Sequence, residues 1–276
     1  MIDRPAPKKS LGQNFLVDRN IAQKIVREFD PKPGELVVEI GPGQGALTGL
    51  LVESGCRLVA IELDERMVEL LAAEHGAALE IIRRDVLTVD FTALAREHGV
   101  ERLRVIGNIP YYITSAILFH LIEHREVIVD ASLMMQREVA ERLVAKPRTK
   151  DYAILAVMIQ TFAEPRLVVN VGPKCFFPPP RVNSAVINLR FRPAEGIEGI
   201  ERQHGTLVRA AFGQRRKTLR NALASVIADG EQRERVFAGA GIGATQRAEE
   251  LAPADFIRLA RIWSEETAHA RPPADR

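Results

Sequence analysis

Apolar residues in the first two thirds of the chain fall into short unbroken runs, each followed by a stretch of helical period. "LVVEI" (36–40) lies between glycines and reads as a strand buried on both faces. "ALTGLLVES" (46–54) then predicts a helix, "RLVAIEL" (57–63) a strand, and "DERMVELLAAEHG" (64–76) a capped helix stopped by glycine. "ALEIIRR" (78–84) and "LRVIGN" (103–108) predict two more strands. "SAILFHLIEH" (115–124) predicts a helix, "ASLMMQ" (131–136) a fifth strand and "REVAERLVA" (137–145) another helix. Strand and helix in alternation predict a parallel sheet covered on both faces.

Further along the pattern changes. "RLVVNV" (166–171) and "SAVINLRF" (184–191) predict strands with no full helix between them, so the sheet should end antiparallel. "CFFPPPRV" between them is too rich in proline for either element. "RPAEGIEGIE" (192–201) has the composition of a linker, and from 202 to 265 only helical periodicity remains. The expected organisation is an α/β domain over 1–193, a small helical domain over 194–265 and a disordered tail over 266–276.

Composition narrows the classes. The 276 residues are 46% hydrophobic, enough for a substantial core, and 38 Lys and Arg against 36 acids leave a net charge of +2. Any nucleic-acid surface must therefore come from local clustering. Cys56 and Cys175 form no CxxC pair and predict neither a disulfide framework nor a zinc site. The first residues lack a signal-peptide core and no apolar run is long enough to span a membrane, so a cytoplasmic protein is expected.

Candidate chemistry starts at "EIGPGQGALT" (39–48), a glycine loop between strand and helix. Gly41, Gly43 and Gly45 remove side chains where a ligand can approach the backbone. The spacing is G-x-G-x-G, which differs from the dinucleotide fingerprint. Glu62 ends the second strand, where a carboxylate can accept from ribose hydroxyls. Asp85 follows the third, where it can accept from an adenine amino group. Loop and acids together outline an adenosine cofactor. No hydride-transfer site or P-loop accompanies them, and an antiparallel last strand suits S-adenosylmethionine (SAM). The expected fold is a Rossmann-like SAM methyltransferase sheet with a small C-terminal helical domain.

"NIPY" (108–111) follows the fourth strand, beside that cofactor. An exocyclic base amine is a poor nucleophile, because its lone pair is delocalised into the ring. The Asn108 side-chain oxygen and the Ile109 carbonyl could accept its hydrogens and aim the lone pair at a methyl group. Pro110 would stiffen the loop, and Tyr111 could stack on a flipped base.

Five blocks in order, "KKSLGQNFLVD", "EIGPGQGALT", "NIPYYIT", "FFPPPRVNSAV" and "RRKTLRNAL", make the chain resemble the KsgA family of small-subunit ribosomal RNA adenine dimethyltransferases. The resemblance extends to about residue 263. It implies that Asn14 and Leu16 belong to a segment covering SAM, and that Gly41, Glu62 and Asp85 hold the cofactor. It also implies that Asn108 touches both cofactor and amine, and that Phe176 sandwiches the base against Tyr111. The implied substrate is a pair of adjacent adenosines near the 3′ end of 16S rRNA in an immature 30S subunit, each dimethylated at N6 by a monomeric enzyme. Two alternatives remain: the related methyltransferase of large-subunit rRNA, and an assembly or nucleic-acid-binding factor that retains SAM binding.

The run Arg202 to Arg220 holds six basic residues and no acid. Leu219, Ala222, Leu223 and Val226 recur at helical spacing, as core positions do. By the resemblance, Arg215, Arg216, Lys217 and Arg220 contact RNA. "KK" at 8–9 and "RR" at 83–84 could extend that footprint. His120 and His124 stand four apart without a third ligand, so no metal is expected.

Overall fold

The structure, a computed structural model, describes residues 4–8, 11–214 and 216–269. In chain order its elements are β1 (Phe15–Leu16), α1 (Arg19–Phe29), β2 (Leu36–Ile40), α2 (Thr48–Glu53), β3 (Arg57–Glu62), α3 (Glu65–His75) and β4 (Glu80–Arg83). Then come α4 (Phe91–Glu97), β5 (Leu103–Asn108), α5 (Thr114–Glu123), β6 (Ile128–Gln136), α6 (Arg137–Leu143) and α7 (Ile154–Phe162). The remainder are β7 (Ala163–Val171), β8 (Phe176–Phe177), β9 (Ser184–Phe191), α8 (Glu201–Gly213), α9 (Leu219–Ala222), α10 (Gly230–Ala240) and α11 (Pro253–His269).

Among the described residues the main sheet has seven strands in the order β4-β3-β2-β5-β6-β9-β7. The first five are parallel, and β9 enters antiparallel between β6 and β7. All five residues of β2 are buried, as is most of β3, β5 and β6. Their uninterrupted apolar runs follow from being covered on both faces. The chain leaves β2 toward β3 and β4, then returns to the other side as β5. That reversal opens a crevice at the carboxyl ends of β2 and β5, the usual ligand position in such sheets.

Two compact units emerge: residues 1–141 with 163–192, and residues 142–162 with 193–276. The sequence pattern places 142–162 within the first domain, 1–193. That stretch contains α7, which is apolar nearly all round and buried along most of its length against α8 and α11. A helix with no polar face needs partners on several sides, and the helical unit supplies them. Two further differences are local. α9 stops after four residues and passes into a 3-10 turn over Leu223–Ser225, shorter than the helix that "TLRNALASVIA" suggests. Within the proline-rich stretch, Phe176 and Phe177 form a short strand paired antiparallel with β1, because the prolines begin only after them. α11 runs on to His269, so the first residues of the expected tail are helical; 270–276 lie outside the described residues.

Among the described residues no helix is long and apolar enough to cross a membrane, and no group of three or more His, Cys, Asp and Glu could hold a metal. His120 and His124 pack edge to face on each other and tilted against Phe91, and the His120 ring contacts the Val89 carbonyl at 2.8 Å. Both cysteines are free thiols.

Candidate active site at the carboxyl ends of the central strands

The cleft at the reversal point is lined by the glycine loop, the ends of β3 and β4, the "NIPY" turn and residues 11–16. Its width is set by how closely β5 approaches β2. Gly107 pairs with Ile40, and a Cβ on Gly107 would sit 2.3 Å from the Ile40 carbonyl oxygen. A glycine inside a strand pattern marks such an approach. The sequence reading passed over Gly107, although that signal was present.

Glu62 organises the cofactor side. Its Oε1 accepts from the N–H groups of Leu63 (2.8 Å) and Asp64 (2.9 Å), and its Oε2 accepts from Gly43 (3.1 Å). Burial pushes the carboxyl upward, and these three N–H donors oppose it. A carboxylate oxygen has two lone pairs, so Oε2 keeps one for a further donor. Gly43 must be glycine: its φ is +55°, and a Cβ there would meet the Phe15 ring at 2.9 Å. The Gly41 N–H donates to Ile61, tying the loop to β3. Asp85 stands exposed at the rim and caps the following turn through Leu87.

Glu39, on β2 beneath the loop, also faces the cleft and is almost fully buried. Burial raises its pKa to about 8, against the opposing effect of the Thr48 hydroxyl, which donates to it at 2.7 Å. It is therefore mostly protonated at neutral pH.

Residues 4–8 and 11–16 cross this side as a strap. Its anchor is Asp64, a buried carboxylate missed in the sequence because it looks like an ordinary helix cap. Asp64 accepts from Lys8 Nζ (3.2 Å), Gln13 Nε2 (3.0 Å) and the Arg66 guanidinium (2.5 and 3.0 Å). The Arg66 hydrogen bonds hold its carboxyl well below the usual range. Arg66 also donates to the Ala6 carbonyl, and Gln44 donates to that of Pro5.

On the opposite side, Asn108 ends β5. Its Nδ2 donates to the Asn14 carbonyl on the strap at 3.0 Å. That bond orients the amide and leaves Oδ1 as an acceptor with no donor among the described residues. The Asn14 side chain in turn donates to Gly12. The Ile109 N–H donates to Met134 on β6, which fixes the turn, and the Pro110 φ of −60° continues it. The Tyr111 hydroxyl is 2.6 Å from Ser184 Oγ, which is fully buried on β9; burial pushes the phenol pKa upward. Ser184 was missed because it is a small residue 73 positions away.

Phe176 does not line the cleft. It is 3% exposed and packs in the core with Leu16, Val169 and Val171. The expectation that it sandwiches a base against Tyr111 is corrected here: alternation along β8 sends Phe176 inward, and Phe177, 59% exposed, outward. Leu16, expected over the cofactor, lines the cleft and also belongs to this core.

Of the expected RNA contacts, Arg216 and Lys217 are exposed in the turn between α8 and α9, and Arg220 pairs with Glu234 at 2.9 Å. Arg215 lies outside the described residues.

The lining tests which cofactor fits. It contains the acids Glu39, Glu62 and Asp85 and, among the described residues, the single base Arg84. A pyrophosphate would meet the Glu62 and Asp85 carboxylates with Arg84 as the one cation to offset them among the described residues. An adenosine carrying positive charge suits the set, with Ile40, Ile61 and Val86 as apolar walls.

Residues 6–265 match the family model described as ribosomal RNA adenine dimethylase. A relative from Xanthomonas campestris pv. campestris, named ribosomal RNA small subunit methyltransferase A, is 46% identical over 258 residues, 92% of this chain and 95% of the relative. The crystal structure of a dimethyladenosine transferase from Plasmodium falciparum superposes with a TM-score of 0.79 at 24% identity, covering 92% of this chain and 98% of that one. That of the 23S rRNA methyltransferase ErmE gives 0.68 at 28% identity, over 91% and 100%.

Proposed function

The chain belongs to the ribosomal RNA adenine dimethylase family, and on that premise we propose that it transfers methyl groups from SAM to N6 of two adjacent adenosines near the 3′ end of 16S rRNA. The substrate in this reading is an immature 30S subunit, and the enzyme acts as a cytoplasmic monomer.

The observation that carries the reading is the placement of Asn108. Its amide nitrogen is taken by the strap, its oxygen has no donor among the described residues, and both Asn108 and Ile109 line the cleft. Two acceptors so placed can hold the two hydrogens of an adenine amine and favour a pyramidal nitrogen. Bound SAM would supply an electrophilic methyl group on a sulfonium. Glu62 Oε2 would accept from the ribose, Asp85 from the adenine amino group, and Asn14 would keep Asn108 in register. The Tyr111 ring would lie on the target base, its plane set by Ser184. Arg215, Arg216, Lys217 and Arg220 would meet phosphates. An exposed pair such as Arg220–Glu234 is worth little, so a phosphate can replace it.

The test incubates the protein with methyl-labelled SAM and, in separate arms, immature 30S particles lacking the modification and unmodified 50S particles. Label on N6 of two adjacent 16S adenosines is expected. Label confined to 23S rRNA, or none, would overturn the reading.

A further inference from the structure

We propose that Phe177 is a second stacking platform, holding a single-stranded nucleotide that flanks the target adenosine. The inference rests on the rRNA reading above and goes beyond it in residue and ligand.

Phe177 is 59% exposed, yet its backbone is held in β8 between β1 and the prolines at 178–180. It pairs with Phe15, which lines the cleft, so its ring stands one strand away from the cleft wall. A Phe this exposed on a fixed strand gains little from the fold, whereas its neighbour Phe176 supplies the core contact. The surroundings choose the partner. Residues 172–183 contain Lys174 and Arg181, both exposed and unpaired among the described residues, and no acid. An exposed aromatic ring on a segment that carries two exposed cations and no acid fits a base and its phosphates, and suits single-stranded nucleic acid better than a protein surface. Val182, also exposed, adds apolar surface to the same segment. A preset ring loses little entropy on stacking, so the platform would orient the strand as the target adenosine leaves it.

Steady-state methylation of immature 30S particles by Phe177→Ala, Phe177→Leu and Phe177→Tyr is the test. Loss of one stacked base corresponds to roughly a ten- to hundredfold rise in KM. That rise is expected for Phe177→Ala, a smaller one for Phe177→Leu and near-normal KM for Phe177→Tyr, with Tm and SAM affinity unchanged throughout. An unchanged KM in Phe177→Ala overturns the proposal, as does a lowered Tm, which would make Phe177 a packing residue. A wild-type dimer dispersed by Phe177→Ala would give the face to a second copy and also overturn it. A wild type inactive on 30S particles would count against the rRNA reading alone. For that case, Phe177→Trp in a Trp263→Phe background is titrated with an unstructured oligoadenylate. Quenching supports the platform, and unquenched emission sinks it.

Discussion

On the β2–β3 side of the cleft, three backbone N–H groups converge on the Glu62 carboxylate, and Asp64 gathers three side chains, Lys8 and Gln13 from the strap and Arg66 from its own helix. On the β5–β8 side, the aromatic rings are oriented by partners far away in sequence: Tyr111 by Ser184, and Phe176 by the core it shares with Leu16. The cofactor side is thus a lattice of hydrogen bonds around ionisable groups, and losing one member leaves others in place. The target side depends on single contacts and on which way a strand alternates. Its residues should be the more sensitive to substitution in catalysis, and the cofactor side the more sensitive to pH.

The largest effect is expected at Asn108. Asn108→Ala should slow single-turnover methylation about a hundred- to thousandfold with an unchanged melting curve, since one positioned acceptor is lost. Near-normal turnover would reduce the "NIPY" turn to a structural connection and erase the contrast between the halves.

Phe176→Ala comes next. Emptying a buried aromatic site costs about 3–5 kcal/mol, so Tm should fall by roughly 10 °C in calorimetry. Lost methylation at an unchanged Tm would mean that the ring leaves the core to meet the base, contrary to its position here.

On the cofactor side, Glu39 should impose a pH dependence. Its carboxyl ionises near 4.5 when unfolded and near 8 when folded. The folded state therefore binds the extra proton between those values. The stability contributed by Glu39 is greatest below 4.5 and falls as pH rises toward 8, by an amount on the order of a few kcal/mol. Glu39→Gln can still accept from Thr48 and removes the slope. Melting at pH 6 and pH 9 should show the wild type losing more than the variant; parallel profiles would refute the assignment.

The smallest effect separates ring from hydroxyl on the target side. Tyr111→Phe and Ser184→Ala each remove one hydrogen bond, worth about 1 kcal/mol, and should each slow methylation about fivefold. The double variant should be no slower than either single one, because both break the same contact. Additive losses would show that Ser184 does not act through Tyr111.

Strand–helix alternation, the glycine loop, Glu62, Asp85 and Asn108 could all be located in the sequence. Buried parallel strands are apolar throughout, and the loops at their ends follow directly, so consecutive residues suffice to identify them. Gly107 carried a readable signal as well. Tertiary structure alone decided that Phe177 points outward while Phe176 enters the core, since both are phenylalanine and the phase of a two-residue strand is set by its register with Phe15 and Leu16. It alone joined Ser184 to Tyr111, made Asp64 the anchor of the strap and assigned α7 to the helical unit. Each of these depends on pairing between distant segments. A sequence pattern records which residues are apolar or can donate a hydrogen bond, and the partner that satisfies each of them is chosen only when the chain closes on itself.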